Sequence, residues 1–167
     1  AAFMNAGAYD GQFSDVLVST THVTSTGHTD SLLGPEMEMD YRKSAYLQNK
    51  CIITSVVVRL EQGNKEQISM QMDDNFRRRK EKQPLELPSA GSVFKRPDGA
   101  YAGALIEQCG LKGEKVGGAM VSEKHAGFIV NTGDATCSDV QALIEKIQET
   151  VLKKTGVSLE CEVRFIS

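Results

Sequence analysis

A short segment with two prolines, Gln83–Pro88, most restricts how this chain can fold. Each proline disfavours helical conformation in the residue before it, so regular structure is expected to stop at this segment and begin again after it. The 167 residues are enough for one medium domain, or for one small domain with part of another. We therefore expect two units, residues 1–82 and residues 83–167.

The part before this linker has a strand pattern followed by a helix pattern. Residues 16–24 and Cys51–Leu60 are rich in β-branched side chains, which is typical of strands. Thr26–Thr29 has the composition of a turn. From Lys65 to Lys82 the apolar residues recur every fourth position, which indicates a helix. These apolar positions are Ile68, Met72 and Phe76.

The part after the linker ends in the strongest helix pattern of the chain, Asp139–Lys154. One apolar stripe runs along it, formed by Val140, Leu143, Ile144, Ile147, Val151 and Leu152. Ser138 is the expected N-cap, and Gly156 is the expected stop. Ser158–Ile166 alternates apolar and charged residues, which predicts a final strand.

Between the linker and that helix the patterns are shorter. Ala102–Cys109 predicts a helix that stops at Gly110, and Ala126–Val130 predicts a buried strand. The pair Gly117–Gly118 lacks both the G-x-G-x-x-G and the Walker pattern, so a structural turn is favoured over a phosphate loop. The mixture of helices and strands predicts an α+β fold in both units.

Composition excludes several classes of function. The net charge of −3 argues against a general nucleic-acid binder, which needs a strongly basic face. No apolar run approaches the roughly 20 residues that span a bilayer. The cysteines are scattered without a C-x-x-C pair, and no histidine stands at ligand spacing from them. We expect free thiols in a reducing cytoplasm and no metal site.

Ser92 lies in a segment suited to ligand binding. Gly91 removes a side chain beside the hydroxyl, and Lys95 and Arg96 supply positive charge for an acidic ligand. Other residues occupy both glycine positions of the hydrolase elbow, so Ser92 is expected to donate a proton or a hydrogen bond and not to act as an acyl nucleophile. The alternative is a polar turn before a strand, and local chemistry alone favours it.

Glu162 and Arg164 form a second candidate group near the C-terminus. They lie two residues apart, so they share one face of the predicted final strand as an acid–base pair. Taken alone, this pattern more often belongs to a solvent-facing pair.

Several stretches in combination resemble one family. They are Pro88–Pro97, Gly110–Gly113, Lys124–Asn131 and Glu162–Ile166, with Met4–Tyr9 and Tyr41–Ser44 upstream. Together they cover essentially the whole chain in order. The sequence resembles UDP-N-acetylenolpyruvoylglucosamine reductase (MurB), a flavoenzyme of peptidoglycan precursor synthesis, in the subclass without an extra substrate-covering insertion.

The resemblance implies a cytoplasmic reaction that uses FAD and NADPH. The enolpyruvyl group of UDP-N-acetylglucosamine enolpyruvate would be reduced to give UDP-N-acetylmuramate. Hydride addition beside a carboxylate generates an enolate-like intermediate, which needs cations or hydrogen-bond donors in a water-poor site. A positioned general acid must then protonate the adjacent carbon.

The resemblance also implies the roles of individual residues and reverses the local preference at Ser92 and Glu162. Ser92 would donate the proton, Arg42 would offer donors to the carboxylate, and Glu162 would share a proton or orient these groups. The implied substrate contacts are Lys95, Arg96 and Arg164. The implied flavin contacts are Asn5, Ala6, Gly7, Ala8 and Tyr41, of which Tyr41 would contact flavin or substrate.

Finally, the resemblance implies an incomplete flavin domain. Residues 1–82 would be the C-terminal part of an FAD-binding domain whose N-terminal part, with its pyrophosphate segment, is absent, and residues 83–167 would be the substrate-binding domain. We expect the chain alone to bind FAD weakly and to have little reductase activity. The alternative is a non-catalytic remnant that retains UDP-sugar recognition. Cys161 replaces a common proline, and a thiol there would make the site sensitive to alkylation.

Overall fold

The computed structural model describes residues 1–166 and divides the chain into two compact units. The first unit is Ala1–Met72, and the second begins at Asp73, inside a long helix. Because a division inside a continuous helix does not test the expected boundary after residue 82, that boundary stays a prediction. Ser167, the last residue of the predicted second domain, lies outside the described residues.

The first unit is built on a three-stranded antiparallel sheet. The strands of the whole unit are β1 (Gly7–Ala8), β2 (Gly11–Gln12), β3 (Leu17–Val23), β4 (Thr29–Leu33) and β5 (Ile52–Val58). β1 and β2 form a separate hairpin, and the sheet has the order β4–β3–β5. The strands predicted from β-branched residues are confirmed as β3 and β5, and a turn with Gly27 at a φ of 83° joins β3 to β4.

Helix α1, Lys65–Lys82, has the bounds that its periodicity predicts. None of its residues is buried. The apolar positions Ile68, Met72 and Phe76 are all exposed. The period therefore predicted the helix correctly, although its apolar stripe stays exposed to solvent in the described chain.

The second unit packs two helices against a four-stranded sheet. The elements are β6 (Ser89–Ser92), α2 (Ala102–Gln108), β7 (Lys115–Val116), β8 (Ala119–Val121), β9 (Phe128–Asn131) and α3 (Cys137–Thr155). The strands are antiparallel in the order β6–β9–β8–β7. The core contains Val93, Phe94, Ile106, Val121, Leu143, Ile144, Ile147 and Val151. Leu152, predicted in the same stripe, is instead half-exposed.

The N-terminus of α3 corrects one prediction. Thr136 is the N-cap, and Ser138 lies inside the helix. The Thr136 hydroxyl accepts from the Asp139 amide at 3.1 Å, and the Asp139 carboxylate accepts from the Thr136 amide at 2.9 Å. Hydrogen bonding of the Asp139 carboxylate to the Thr136 backbone amide, and to the Thr136 side chain, lowers the pKa of that carboxyl. The sequence does not separate the two candidates, because Ser138 also has a possible capping-box partner, Gln141, three positions later; the reciprocal bonds with Asp139 identify Thr136 as the cap.

The C-terminal segment is less regular than its alternation predicts. Ser158–Ile166 forms a single β-bridge, between Cys161 and Phe94, in place of the predicted strand. Leu159 is buried, but Phe165 is exposed. The neighbouring β6 contains Gly91 at a φ of 89° and a register shift, so its edge cannot continue a regular ladder.

The turn between β7 and β8 explains the glycine pair. A Cβ on Gly118 would lie 2.3 Å from the backbone nitrogen of Ala135, and a Cβ on Gly117 would meet the Asp139 carboxylate. Both glycines are therefore required by close packing, in agreement with the predicted structural turn.

Three further observations concern residues 1–166. No helix there has the length and apolarity to cross a membrane. No group of three His, Cys, Asp or Glu side chains in this range could hold a metal ion. Cys109 is buried, Cys137 is exposed, and Cys51 and Cys161 are half-buried, all as free thiols.

We predict that Thr136→Ala lowers the free energy of unfolding by about 1 kcal/mol, because it removes the cap of α3. Ser138→Ala is the matched control, and we expect it to change stability by less than about 0.5 kcal/mol. Urea unfolding measures both variants. Equal losses in the two variants would contradict the assignment of the cap.

Candidate active site

In the first unit, the predicted flavin contacts form an exposed hairpin of small residues. Ala6, Gly7 and Ala8 are all exposed. The hairpin turns at Tyr9 and Asp10, which both have positive φ, at 51° and 65°. Two such residues in succession give the tight primed turn that suits a two-residue hairpin. The segment therefore presents backbone with no side chain larger than methyl before the turn.

Asn5 holds this hairpin in place. It is buried, and its Oδ1 accepts from the Ser14 amide at 2.9 Å. Its Nδ2 donates to Gln12 Oε1 at 3.1 Å and to the Asp40 carbonyl at 3.2 Å. Asn5 therefore ties the small-residue hairpin to the turn that carries Arg42.

That turn places Arg42 in an unusual backbone conformation. Asp40 and Lys43 exchange two backbone hydrogen bonds, and Arg42 between them has a φ of 53°. A non-glycine residue in this region is strained, by roughly 1 kcal/mol or more, and such residues cluster at functional sites. The Arg42 guanidinium lies 5.1 Å from the centre of the Tyr41 ring, so the two predicted site residues are in contact.

A buried polar network follows the Arg42 turn. Ser44 Oγ donates to the Phe3 carbonyl at 2.7 Å. The hydroxyl of the fully buried Tyr46 is bonded to Thr20 Oγ1 at 2.8 Å and to His22 Nδ1 at 2.7 Å. Burial raises the pKa of Tyr46. These bonds fix the chain immediately after Arg42 to β3 and to the N-terminal segment.

In the second unit, Ser92 is the last residue of β6 and is exposed. Its hydroxyl donates to the Phe94 carbonyl at 3.4 Å, which is a long and weak bond. The next residue, Val93, is buried, and its amide donates to Gly127 at 2.9 Å. Ser92 is therefore an exposed hydroxyl on a firmly anchored segment, and not part of a free polar turn.

The structure brings Glu162 next to this segment. The Glu162 amide donates to the Val93 carbonyl at 2.7 Å, and the Lys95 amide donates to the Glu160 carbonyl at 2.9 Å. These two backbone bonds pair the segment that follows Ser92 with the segment that contains Glu162. Glu162 is half-buried. The predicted proton donor and carboxylate thus lie on adjacent segments.

Each of the two paired segments carries cationic side chains. Lys95 forms an ion pair with Glu160, and Arg96 lies over the Tyr101 ring with its guanidinium carbon 4.1 Å from the ring centre. Arg164 is exposed. The three predicted substrate contacts therefore lie at positions 95, 96 and 164, on either side of the bridge between Phe94 and Cys161.

A cavity of about 340 Å³ lies between β6, β9 and the start of α3. Its walls include Val93, Val130, Val140 and Val163. Ser92, Lys95, Arg96 and Glu162 are not among its lining residues. An acidic nucleotide-sugar would find no cation there, so this cavity does not serve the predicted site.

Cys161 lies beside Glu162, with its Sγ 3.4 Å from the Val163 carbonyl. Burial raises the pKa of this thiol. The thiolate is the reactive form, so the thiol is less nucleophilic at neutral pH. This opposes the alkylation sensitivity that the sequence suggests.

Sequence reasoning did not identify the residues that support the site. These residues are Thr20, His22, Tyr46 and Tyr101, and none belongs to a recognisable motif. Two signals were available: Thr20 and His22 lie two residues apart on one face of a predicted strand, and Tyr46 lies close to the Y-R-x-S segment.

Comparison with known proteins identifies the family of this chain. A family model described as the C-terminal domain of UDP-N-acetylenolpyruvoylglucosamine reductase matches residues 83–166. The chain belongs to this reductase family. This confirms the family that the sequence resembles, and the mixed α+β architecture agrees with the fold expected of it.

Relatives in the reductase family match over nearly the entire chain. The reductase of Clostridium kluyveri is 50% identical over 166 residues, and that of Lachnoclostridium phytofermentans is 48% identical over 166 residues. A crystal structure of MurB from Thermus caldophilus is similar, with a TM-score of 0.83 and 36% identity over 98% of this chain. The match covers 55%, 54% and 58% of those proteins, respectively, so this chain spans about half their length.

We predict that Tyr46→Phe lowers the free energy of unfolding by about 1–3 kcal/mol, because it leaves buried polar groups of Thr20 and His22 without their partner. Tyr101→Phe, which removes the same atom from an exposed ring, is the control. We expect little change in that variant. Urea unfolding of the chain measures both.

The same pair of variants tests the pKa of Tyr46. Because the folded protein raises this pKa above the usual value of about 10, wild-type stability should fall as pH rises beyond about 10. Tyr46→Phe should lose this part of the alkaline decline, and Tyr101→Phe should keep it. An identical decline in all three proteins would contradict the assignment.

Proposed function

We propose that this chain is part of a reductase that reduces the enolpyruvyl group of UDP-N-acetylglucosamine enolpyruvate, with FAD as cofactor and NADPH as reductant. The main support is the backbone pairing of Val93 with Glu162 in a domain of this family. It places a hydroxyl, a carboxylate and cations on adjacent segments, which are the groups that protonation of an enolate requires.

The exposed hairpin fits a flavin. Ala6, Gly7 and Ala8 allow a planar ring system to approach the backbone, since their side chains extend no further than a methyl group. Tyr41 lies on the turn that Asn5 ties to this hairpin, so it is the proposed aromatic contact. When bound, FAD supplies the chemistry that transfers hydride from NADPH to the substrate.

The polar residues complete the reaction. Ser92 donates the proton to the α-carbon of the enolate, next to the carboxylate, and Glu162 orients the hydroxyl or returns its proton. Arg42 binds the substrate carboxylate through its fixed donors as negative charge develops. Lys95, Arg96 and Arg164 bind the acidic UDP-sugar. The left-handed conformation of Arg42 supports this role, because the fold maintains it at a cost.

The second candidate is a binding module that recognises the UDP-sugar without catalysis. Its support is that the chain spans about half the length of its relatives. The presence of Arg42, Ser92 and Glu162 together favours the reductase. A cytoplasmic location accords with free thiols, which persist in a reducing compartment.

We predict that the isolated chain binds FAD weakly and oxidises NADPH with little turnover, because it spans only about half the length of its reductase relatives. A visible absorption spectrum of the purified chain, followed by a steady-state assay with substrate, measures both properties. A stoichiometric flavin spectrum with substantial turnover would contradict the proposed dependence on further sequence.

The catalytic proposal is tested in a chimera in which this chain replaces the matching region of the Clostridium kluyveri reductase. We predict that Ser92→Ala lowers substrate turnover by about 10²–10⁴-fold, because the general acid is lost, while flavin content is unchanged. Ser89→Ala, a nearby exposed serine, should stay within about twofold of the parent chimera.

The outcomes separate the two candidate functions. A chimera that contains flavin and binds the UDP-sugar but does not turn over would support the non-catalytic module. Equal activity of Ser92→Ala and Ser89→Ala would remove Ser92 from the mechanism.

A further inference from the structure

The side-chain amide of Asn5 is committed to partners inside the first unit. Nδ2 donates one hydrogen to Gln12 Oε1 at 3.1 Å and one to the Asp40 carbonyl at 3.2 Å. Oδ1 accepts from the Ser14 amide at 2.9 Å, and Asn5 is only 2% exposed. Because an amide group has two donor hydrogens, this side chain has none left to donate to a flavin. Its role therefore follows from the segments that it joins.

The bond to Asp40 reaches the atom that closes the Arg42 turn. The Asp40 carbonyl also accepts from the Lys43 amide at 3.0 Å, so residues 40–43 form a four-residue turn with Arg42 at its third position. A positive φ at this position favours glycine, yet Arg42 has a φ of 53°. Asn5 thus supplies a second donor, from outside the turn, to the carbonyl that closes a conformation its own sequence disfavours.

The backbone position of Arg42 matters because its side chain is long and flexible. In the proposed mechanism the guanidinium stabilises negative charge on the substrate carboxylate as that charge develops. Such stabilisation is effective only when the donors are already in place, since reorganising them during the reaction has a cost. A loosened turn would therefore weaken this step even though the guanidinium itself is still present.

We propose that Asn5 is a positioning residue that acts through Arg42: its bond to the Asp40 carbonyl keeps the Arg42 turn at a fixed position relative to the β1–β2 hairpin. This inference rests on the proposed function and deepens it. The same nitrogen also bonds Gln12 of β2, so one side chain joins the hairpin to the turn. Asn5 consequently contributes to the reaction with the enolpyruvyl substrate and not to the reaction with NADPH.

A general stabilising role for Asn5 predicts a different result. Loss of stability in the first unit would lower flavin content and would slow the reactions with NADPH and with the UDP-sugar alike. A positioning role slows only the reaction in which Arg42 takes part. The two half-reactions, measured separately, distinguish these roles.

The test is Asn5→Asp in the chimera with the Clostridium kluyveri reductase. This change keeps the acceptor for the Ser14 amide and removes both donor hydrogens at nearly constant volume. We expect flavin content and flavin reduction by NADPH to stay within about twofold of the parent chimera, and oxidation of the reduced enzyme by UDP-N-acetylglucosamine enolpyruvate to slow by about tenfold or more. In the flavin-free chimera, hydrogen exchange of the Lys43 amide should quicken by about tenfold or more.

Two further variants complete the experiment. Asn5→Gly introduces no charge and tolerates the left-handed backbone of Asn5, whose φ is 43°, so it should give the same pattern if Asn5→Asp does not fold. Asn131→Asp is the matched control, because Asn131 Oδ1 accepts from the Gly133 and Ala135 amides and an aspartate keeps both bonds. It lies in the other unit and should stay within about twofold of the parent in every measurement.

Arg42→Ala separates this inference from the proposed function. If Arg42→Ala does not slow oxidation by the UDP-sugar, the proposed role of Arg42 is wrong and the inference fails with it. If Arg42→Ala slows that step but the Asn5 variants do not, only the inference is overturned. Loss of flavin from folded Asn5 variants, unchanged exchange at Lys43, or failure of both Asn5 variants to fold would also overturn it.

Discussion

The second unit depends on a pair of backbone hydrogen bonds between residues distant in sequence, from the Glu162 amide to Val93 and from the Lys95 amide to Glu160. Neither side of this contact forms a regular ladder, because β6 is interrupted at Gly91 and the C-terminal segment forms a single bridge. Two buried neighbours, Val93 and Phe94, hold the pairing against the core. The polar groups beside it are positioned by this apolar anchor.

In the first unit, buried hydrogen-bonding side chains hold the strained turn at Arg42 in place. Arg42 occupies a region of φ that disfavours side chains, and this cost must be met by the surrounding structure. Asn5 bonds the turn on one side, and Ser44 and Tyr46 fix the chain that leaves it on the other. Because the side chains of Asn5, Ser44 and Tyr46 are buried, water competes poorly with these bonds. A flexible arginine is thereby given a defined backbone position.

The long elements of the fold could be predicted from the sequence, and the short ones could not. α1 and α3 repeat their period over several turns, and β5 has an unbroken β-branched run. β1, β2 and β7 have two residues each, too few for any period to emerge. The N-cap of α3 was misassigned because both Thr136 and Ser138 are good caps, and only the reciprocal bond with Asp139 separates them. At the candidate site, local chemistry alone favours a polar turn at Ser92. Only the family resemblance predicts that Ser92 and Glu162 belong to the same site.

Two cysteines of the second unit, Cys137 and Cys161, differ in exposure, so a spectroscopic label can be attached to one in preference to the other. Cys137 is exposed at the start of α3, whereas Cys161 is shielded and its burial favours the protonated thiol. A maleimide dye applied at neutral pH therefore reacts at Cys137 in preference to Cys161. The resulting label would report on the end of a long helix while the carboxylate at Glu162 and its neighbours stay chemically unmodified.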